Sequence, residues 1–146
     1  MYQSTKFLTT LAASATSLFL TLTPTSASAA ELTVEIKGIA SDKGDVYVAI
    51  YDKTEKWMKT ALSDAKASAK KGSVTVTFKE LPEGDYAISL YHDENGNGKM
   101  DRNVIGMPTE PYAFSNDAAG NYGPASFEQA KFKVDGAKKN IVINIK

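Results

Sequence analysis

Leu32-Thr33-Val34-Glu35-Ile36-Lys37 followed by Val46-Tyr47-Val48-Ala49-Ile50-Tyr51 decides the fold. In the first run apolar and polar residues alternate strictly, the period of a strand with one face in a core and one in water. The second is rich in β-branched and aromatic residues, which suit a pleated surface buried on at least one face. The Gly-containing link Ser41-Asp42-Lys43-Gly44 reads as a hairpin turn between them. The same alternation returns at Val74, Val76 and Phe78, and Leu81-Pro82-Glu83-Gly84 turns the chain into Tyr86-Ala87-Ile88-Ser89-Leu90-Tyr91. Phe132 and Val134, then Ile141, Ile143 and Ile145 beyond the turn Asp135-Gly136, complete six short strands. Six strands with one apolar face each predict an all-β sandwich of two antiparallel sheets.

Helix is expected in two places at most. Glu55 to Lys70 carries Trp57, Met58, Ala61, Leu62 and Ala65 at loose three-to-four spacing, the pattern of an exposed helix or a mobile connection. Ser126 and Gln129 have capping-box spacing and predict a short helical turn.

Ahead of the strands, Lys6, a mainly apolar run from Phe7 to Leu22 and Ala27-Ser28-Ala29-Ala30 have the layout of a secretory signal peptide cleaved after Ala29 or Ala30. At 16 residues the run is shorter than the roughly 20 a bilayer core requires, and Ser and Thr dilute it. The expected arrangement is therefore a leader over 1–30 and a single sandwich domain over 31–146, exported to the periplasm or beyond with no membrane span after cleavage. Without the leader the chain carries 16 basic against 17 acidic residues, a balance that favours neither nucleic acid nor an anionic membrane. There is no cysteine, which excludes disulfides, thiol chemistry and cysteine-ligated zinc.

Between the fourth and fifth strands runs a long tract, Asp93 to Ala125, with five Gly, five Asn and three Pro. Loops of that length inside compact domains are usually functional or disordered. Tyr112, Phe114 and Tyr122 argue for order, since solvated linkers rarely carry such rings. The tract begins Asp93-Glu94-Asn95-Gly96-Asn97-Gly98-Lys99-Met100-Asp101, with oxygen-bearing side chains at positions one, three, five and nine and Gly at six, the spacing of a calcium loop. Position twelve, where a bidentate Glu closes an EF-hand, is Val104. Asp93, Asn95, Asn97, the Lys99 carbonyl and Asp101 are thus the expected Ca²⁺ ligands, with Glu110 as the nearest outside carboxylate. Glu94 points to the wrong side of an alternating loop. With two carboxylates among the loop's own ligand positions, affinity should be weak, on the order of 10⁻⁴–10⁻³ M. The competing reading is a pair of plain Asn-Gly turns, which leaves the spacing of Asp93 and Asp101 unexplained.

Several of these segments together resemble a bacterial family of exported proteins known as domain of unknown function 2141. They are Leu81-Pro-Glu-Gly-Asp-Tyr86, Tyr91-His-Asp-Glu-Asn-Gly-Asn-Gly-Lys-Met-Asp101, Gly106-Met-Pro-Thr-Glu110, Phe114-Ser-Asn116, and Gly123-Pro124 with Phe127. The resemblance runs from about Gly72 to Val134, is weaker in the first two strands, and implies an immunoglobulin-like or transthyretin-like sandwich without implying an activity. The chain departs from the family pattern at Pro111-Tyr112-Ala113, where relatives carry Gly-Tyr-Gly, and at Ala125, which replaces a second proline.

Three functions are compatible with these residues. The first is a non-catalytic binding or structural module whose loop is ordered by calcium, its partner an envelope or extracellular protein or glycan. The second is a hydrolase with His92, the only histidine, as base or metal ligand beside Asp93, Asp101 and Glu110. Alternation places His92 on the core face of its strand, which favours a structural histidine, and no second His completes a zinc site. No Gly-x-Ser-x-Gly is present, and Ser115 precedes an Asn in a loop without a second base. The third is sugar or peptide binding through Trp57, Tyr112, Phe114 and Tyr122, which requires at least two of these rings to share an exposed concave face.

Overall fold

The computed structural model describes residues 29–146; the leader reading falls on residues outside that range, apart from Ala29 and Ala30 at its cleavage point. Eight strands form, β1 Ala30–Ile39, β2 Asp45–Tyr51, β3 Ser63–Ser68, β4 Gly72–Leu81, β5 Gly84–Asp93, β6 Tyr112–Phe114, β7 Phe132–Val134 and β8 Lys138–Asn144, with one helical turn, α1 Phe127–Ala130. They build two sheets, β4-β1-β8 and β3-β2-β5-β6, and β7 also pairs with β5. Leu32, Val34 and Ile36 of β1 and Ile143 of β8 are fully buried against Val46, Val48, Ile50, Ile88 and Leu90 of the second sheet. The alternation seen in sequence is the inner face of a two-layer sandwich. Among the described residues no helix is long and apolar enough to cross a membrane.

The strand count and the connections differ from expectation in three ways. β1 and β2 are not a hairpin: β1 pairs with β4 and β8, β2 with β3 and β5, and the link through Gly44 carries the chain from one sheet to the other. Both runs turn their apolar residues inward, so they face each other across the core instead of lying side by side. The first sheet is mixed, because β8 runs parallel to β1 with Val34 opposite Ile141. A parallel neighbour requires a crossover, and here the chain makes it by way of the second sheet.

The third difference lies in Glu55 to Lys70, where a single 3-10 turn, Thr54–Lys56, gives way to β3. Ala65 and Ala67 pack against the core while Asp64, Lys66 and Ser68 face water, a period-two pattern that small, weakly β-forming alanines make hard to hear. Pairing with the open edge of β2, from Asp45 opposite Ser68 to Ile50 opposite Ser63, outweighs the helical preference of an Ala-rich and Lys-rich run. By contrast the capping box forms as its spacing predicts: the Gln129 amide donates to Ser126 Oγ at 3.3 Å, and Ser126 N–H donates to Gln129 Oε1 at 2.9 Å.

One edge of β5 is shared by two short strands in tandem. β6 pairs with Ser89–Tyr91 and β7 with Gly84–Tyr86, which leaves Ala87 and Ile88 between them without a strand partner on that edge. Ser115 fills that gap. Its buried hydroxyl accepts from Ile88 N–H at 2.9 Å and donates to the Ala130 carbonyl, joining β5 to α1. Asn116 Nδ2 donates to the Lys131 carbonyl at 2.7 Å, and Asp117 accepts from the backbone and side-chain amides of Asn144 at 2.8 and 2.7 Å. Phe114-Ser-Asn-Asp117 therefore fastens the long tract to both sheets. A second apolar cluster, Tyr51, Ala87, Phe114, Ala125, Phe127 and Ala130, covers part of the outer face of the second sheet.

Candidate metal centre and its surroundings

β5 ends at Asp93, whose carboxylate is fully buried and organises the turn that follows. Its Oδ1 accepts from the backbone amides of Gly96 and Asn97 at 2.8 and 3.2 Å, and its Oδ2 from Gly98 at 2.7 Å. Three amides can converge on one carboxylate only if the chain doubles back sharply. Gly96 and Gly98 allow it, with φ of +72° and +75°. Asn95 and Asn97 each hold the next-but-one amide, Asn97 N–H on Asn95 Oδ1 at 3.0 Å and Lys99 N–H on Asn97 Oδ1 at 2.8 Å. Gly44 presses on the same corner from the other side: a Cβ there would stand 1.7 Å from the Asp93 carbonyl oxygen, so no other residue fits.

Three of the six expected ligands, Asn95, Asn97 and Asp101, bring their side chains together. The side-chain amides of Asn95 and Asn97 both donate to the Asp101 carboxylate, from Asn97 at 2.9 and 3.0 Å. Glu110 arrives from the far end of the next loop and accepts the Asp101 backbone amide on Oε2 at 3.1 Å, while its Oε1 is buried without a partner. Lys99 contributes its amide to Asn97, and Glu94 turns away to accept from Ser41 Oγ at 2.9 Å. Among the described residues no three His, Cys, Asp or Glu side chains form a metal cage by themselves, so an ion here must draw on amide and backbone oxygens. Hard cations accept such oxygens, and calcium sites routinely combine them with carboxylates.

His92 is fully buried. Its Nε2 lies 2.7 Å from the Lys43 carbonyl and so carries the proton, its backbone amide donates to Pro111, and its Nδ1 has no hydrogen-bond partner, the nearest carboxylate oxygen of Glu94 being 3.9 Å away. The ring ties the β1–β2 link to the end of β5, the backbone amide ties Pro111 to the same place, and the imidazole is closed off from solvent.

The four rings singled out in the sequence divide into two pairs. Trp57 and Phe114 pack inward, the indole nitrogen donating to the Ala125 carbonyl at 2.8 Å and the two ring centroids 5.8 Å apart. Tyr112 and Tyr122 are exposed and line one cleft on the outer face of the second sheet. Tyr47 and Tyr91, opposite each other on β2 and β5, form its floor, stacked with centroids 5.2 Å apart and planes within 8°. Both occupy outward positions of their strands, which apolar alternation in the sequence does not mark. The Tyr91 phenol is held above its ordinary pKa, chiefly by burial and then by negative charge on Asp93, Tyr47 and Glu110. The cleft floor and the loop thus feel each other electrostatically.

Residues 34–142 match the family model of an uncharacterized protein conserved in bacteria, DUF2141. The chain belongs to the DUF2141 family. The match runs from within β1 to within β8, so the first two strands, where the motifs are sparse, belong to the family domain from residue 34 onward. No curated protein and no solved structure matches the chain significantly.

Proposed function

We propose that this DUF2141 domain is an exported, non-catalytic binding module whose long loop is ordered by one weakly held calcium ion. The observation that carries the reading is the convergence of Asn95 and Asn97 on Asp101 in the loop whose turn Asp93 organises, with Glu110 anchored to the Asp101 backbone and one of its oxygens buried and unpaired. Rotating the two Asn amides by half a turn presents their oxygens where the nitrogens now meet Asp101, at the cost of the bonds to Asp101 and of those that the Asn97 and Lys99 backbone amides now make to the two side-chain oxygens, which the ion must outweigh. Asp93, Asp101 and Glu110 supply negative charge, and the Lys99 carbonyl is available as a backbone ligand. Val104 at position twelve is fully exposed and contributes nothing, which keeps the affinity in the range of about 10⁻⁴–10⁻³ M suited to calcium-rich surroundings outside the cytoplasm. The leader-like N-terminus agrees with such a location. His92 is assigned a structural part because its ring is spent on the Lys43 carbonyl.

Ligand linkage sets the size of the expected effect. At 10 mM calcium, ten to a hundred times that dissociation constant, binding adds about 1.4–2.7 kcal/mol to the folded state. Thermal melting with calcium against an ionic-strength-matched sodium control should rise for the parent and stay level for Asp101→Asn and Glu110→Gln. Equal melting of the parent in both salts, or an equal rise in the variants, rejects the ion.

A further inference from the structure

Five of the eight large apolar side chains exposed among the described residues, Met58, Ile105, Met107, Tyr112 and Tyr122, line one cleft on the outer face of the second sheet. Solvent-exposed apolar groups are ordinarily scattered, and their concentration in one concavity marks a contact surface. Composition points the same way. Every methionine after Met1 (Met58, Met100, Met107) lies on this cleft, as do Tyr47, Tyr51, Tyr91, Tyr112 and Tyr122, leaving Tyr86 of the sandwich core as the one described tyrosine elsewhere. The cavity measures about 710 Å³, within the range of sites that enclose a small organic molecule.

The shape and polarity of the walls select among ligand classes. The floor is flat, because Tyr47 and Tyr91 stack nearly parallel, and it offers a planar ligand ring-to-ring contact. Thioethers and Ile105 form the sides, adaptable surfaces that bind apolar bodies by dispersion. A glycan would need carboxylates and amides around the rings to meet its hydroxyls, yet the lining holds no Asn or Gln and Asp64 is its only acidic residue. Arg102 stands in the wall. Its Nη1 donates to the Gly106 carbonyl at 2.9 Å, and no carboxylate among the described residues pairs with it, so most of its fork is open to an anion.

We propose that the cleft bounded by Tyr47, Tyr91, Tyr112, Tyr122, Met107 and Arg102 binds a planar, mainly apolar small molecule carrying one acidic group. The floor belongs to β2 and β5 while Arg102 and Met107 follow the ion loop, so the test is run in chelator as well as in calcium: binding in both separates this proposal from the ion.

Two fluorescent probes of the same aromatic body test it, 8-anilinonaphthalene-1-sulfonate with its acidic group and neutral N-phenyl-1-naphthylamine. The parent should bind each saturably at one site per chain, and both should compete with one another. Tyr122→Ala with Met107→Ser, both exposed positions whose replacement leaves the core untouched, should weaken both probes at least tenfold. Val142→Ser, an exposed apolar residue on the opposite sheet, should change neither. Arg102→Gln should weaken the sulfonate several-fold and leave the neutral probe as it was. Unsaturable binding, or binding insensitive to the double variant, overturns the site. Equal loss of both probes in Arg102→Gln overturns the acidic group, and saturable binding of chito-oligosaccharides lost in the double variant overturns the ligand class in favour of a glycan.

Discussion

Ser115→Ala isolates the residue that closes the gap between β6 and β7. The hydroxyl is fully buried, accepts the Ile88 amide at 2.9 Å and donates to the Ala130 carbonyl, so a methyl in its place fits sterically and leaves two buried backbone groups without partners. Each such group costs about 1–3 kcal/mol when orphaned, and allowing for partial relaxation the pair should destabilise the domain by about 2–4 kcal/mol. For a domain near a hundred residues, where each kcal/mol moves the midpoint by about 4 °C or more, melting should fall by about 8–16 °C. Urea unfolding followed by the fluorescence of Trp57, which packs against Phe114 at the other side of this junction, should show a lower midpoint with an unchanged slope. A loss below about 0.5 kcal/mol would mean that water or a local shift replaces the hydroxyl, and the serine would then need another explanation.

Two further outcomes follow from charges near the tract. The Asp117 carboxyl is held below its ordinary value of 3.8, chiefly by the Asn144 backbone amide, with partial burial opposing and the Asn144 side chain assisting. Its stabilising contribution is complete above the ordinary value and fades as pH falls through the lower folded value, so Asp117→Asn should flatten the fall in melting temperature below about pH 4, and parallel acid profiles for parent and variant would refute the assignment. Tyr91 should titrate at lower pH in saturating calcium than in chelator, because the cation offsets Asp93 and Glu110 while the contribution of burial remains; an alkaline absorbance titration differenced against Tyr91→Phe reads this directly, and an unchanged value speaks against ion binding at the loop.

The inner faces of the sandwich were legible because period-two alternation is a direct image of the pleat, and Leu32, Val34, Ile36, Val74, Val76 and Phe78 carry it without interruption. Which strands lie side by side was not legible, since alternation says which way a residue faces and nothing about its neighbour; the β1–β2 link looked like a hairpin and crosses between sheets. β3 hid behind alanines and lysines whose local preference is helical, overridden by the edge of β2. At the loop, the spacing of Asn95, Asn97 and Asp101 was sufficient to bring their side chains together beside the turn that Asp93 organises, and the positive φ of Gly98 was implied by its place in that turn. Gly44 and the Tyr47–Tyr91 pair could not be read, because each acts on a partner 49 or 44 positions away, and that proximity exists only once β2 and β5 have paired.

The central claim is that a cation holds the loop, and the most direct measurement is a crystal structure grown in 10 mM calcium and collected at a wavelength where calcium scatters anomalously. The account predicts an anomalous peak with oxygens of Asp93, Asn95, Asn97, Asp101 and the Lys99 carbonyl at about 2.3–2.6 Å, and Glu110 turned toward it. A water in that place, with the Asn95 and Asn97 amide nitrogens still donating to Asp101, contradicts it.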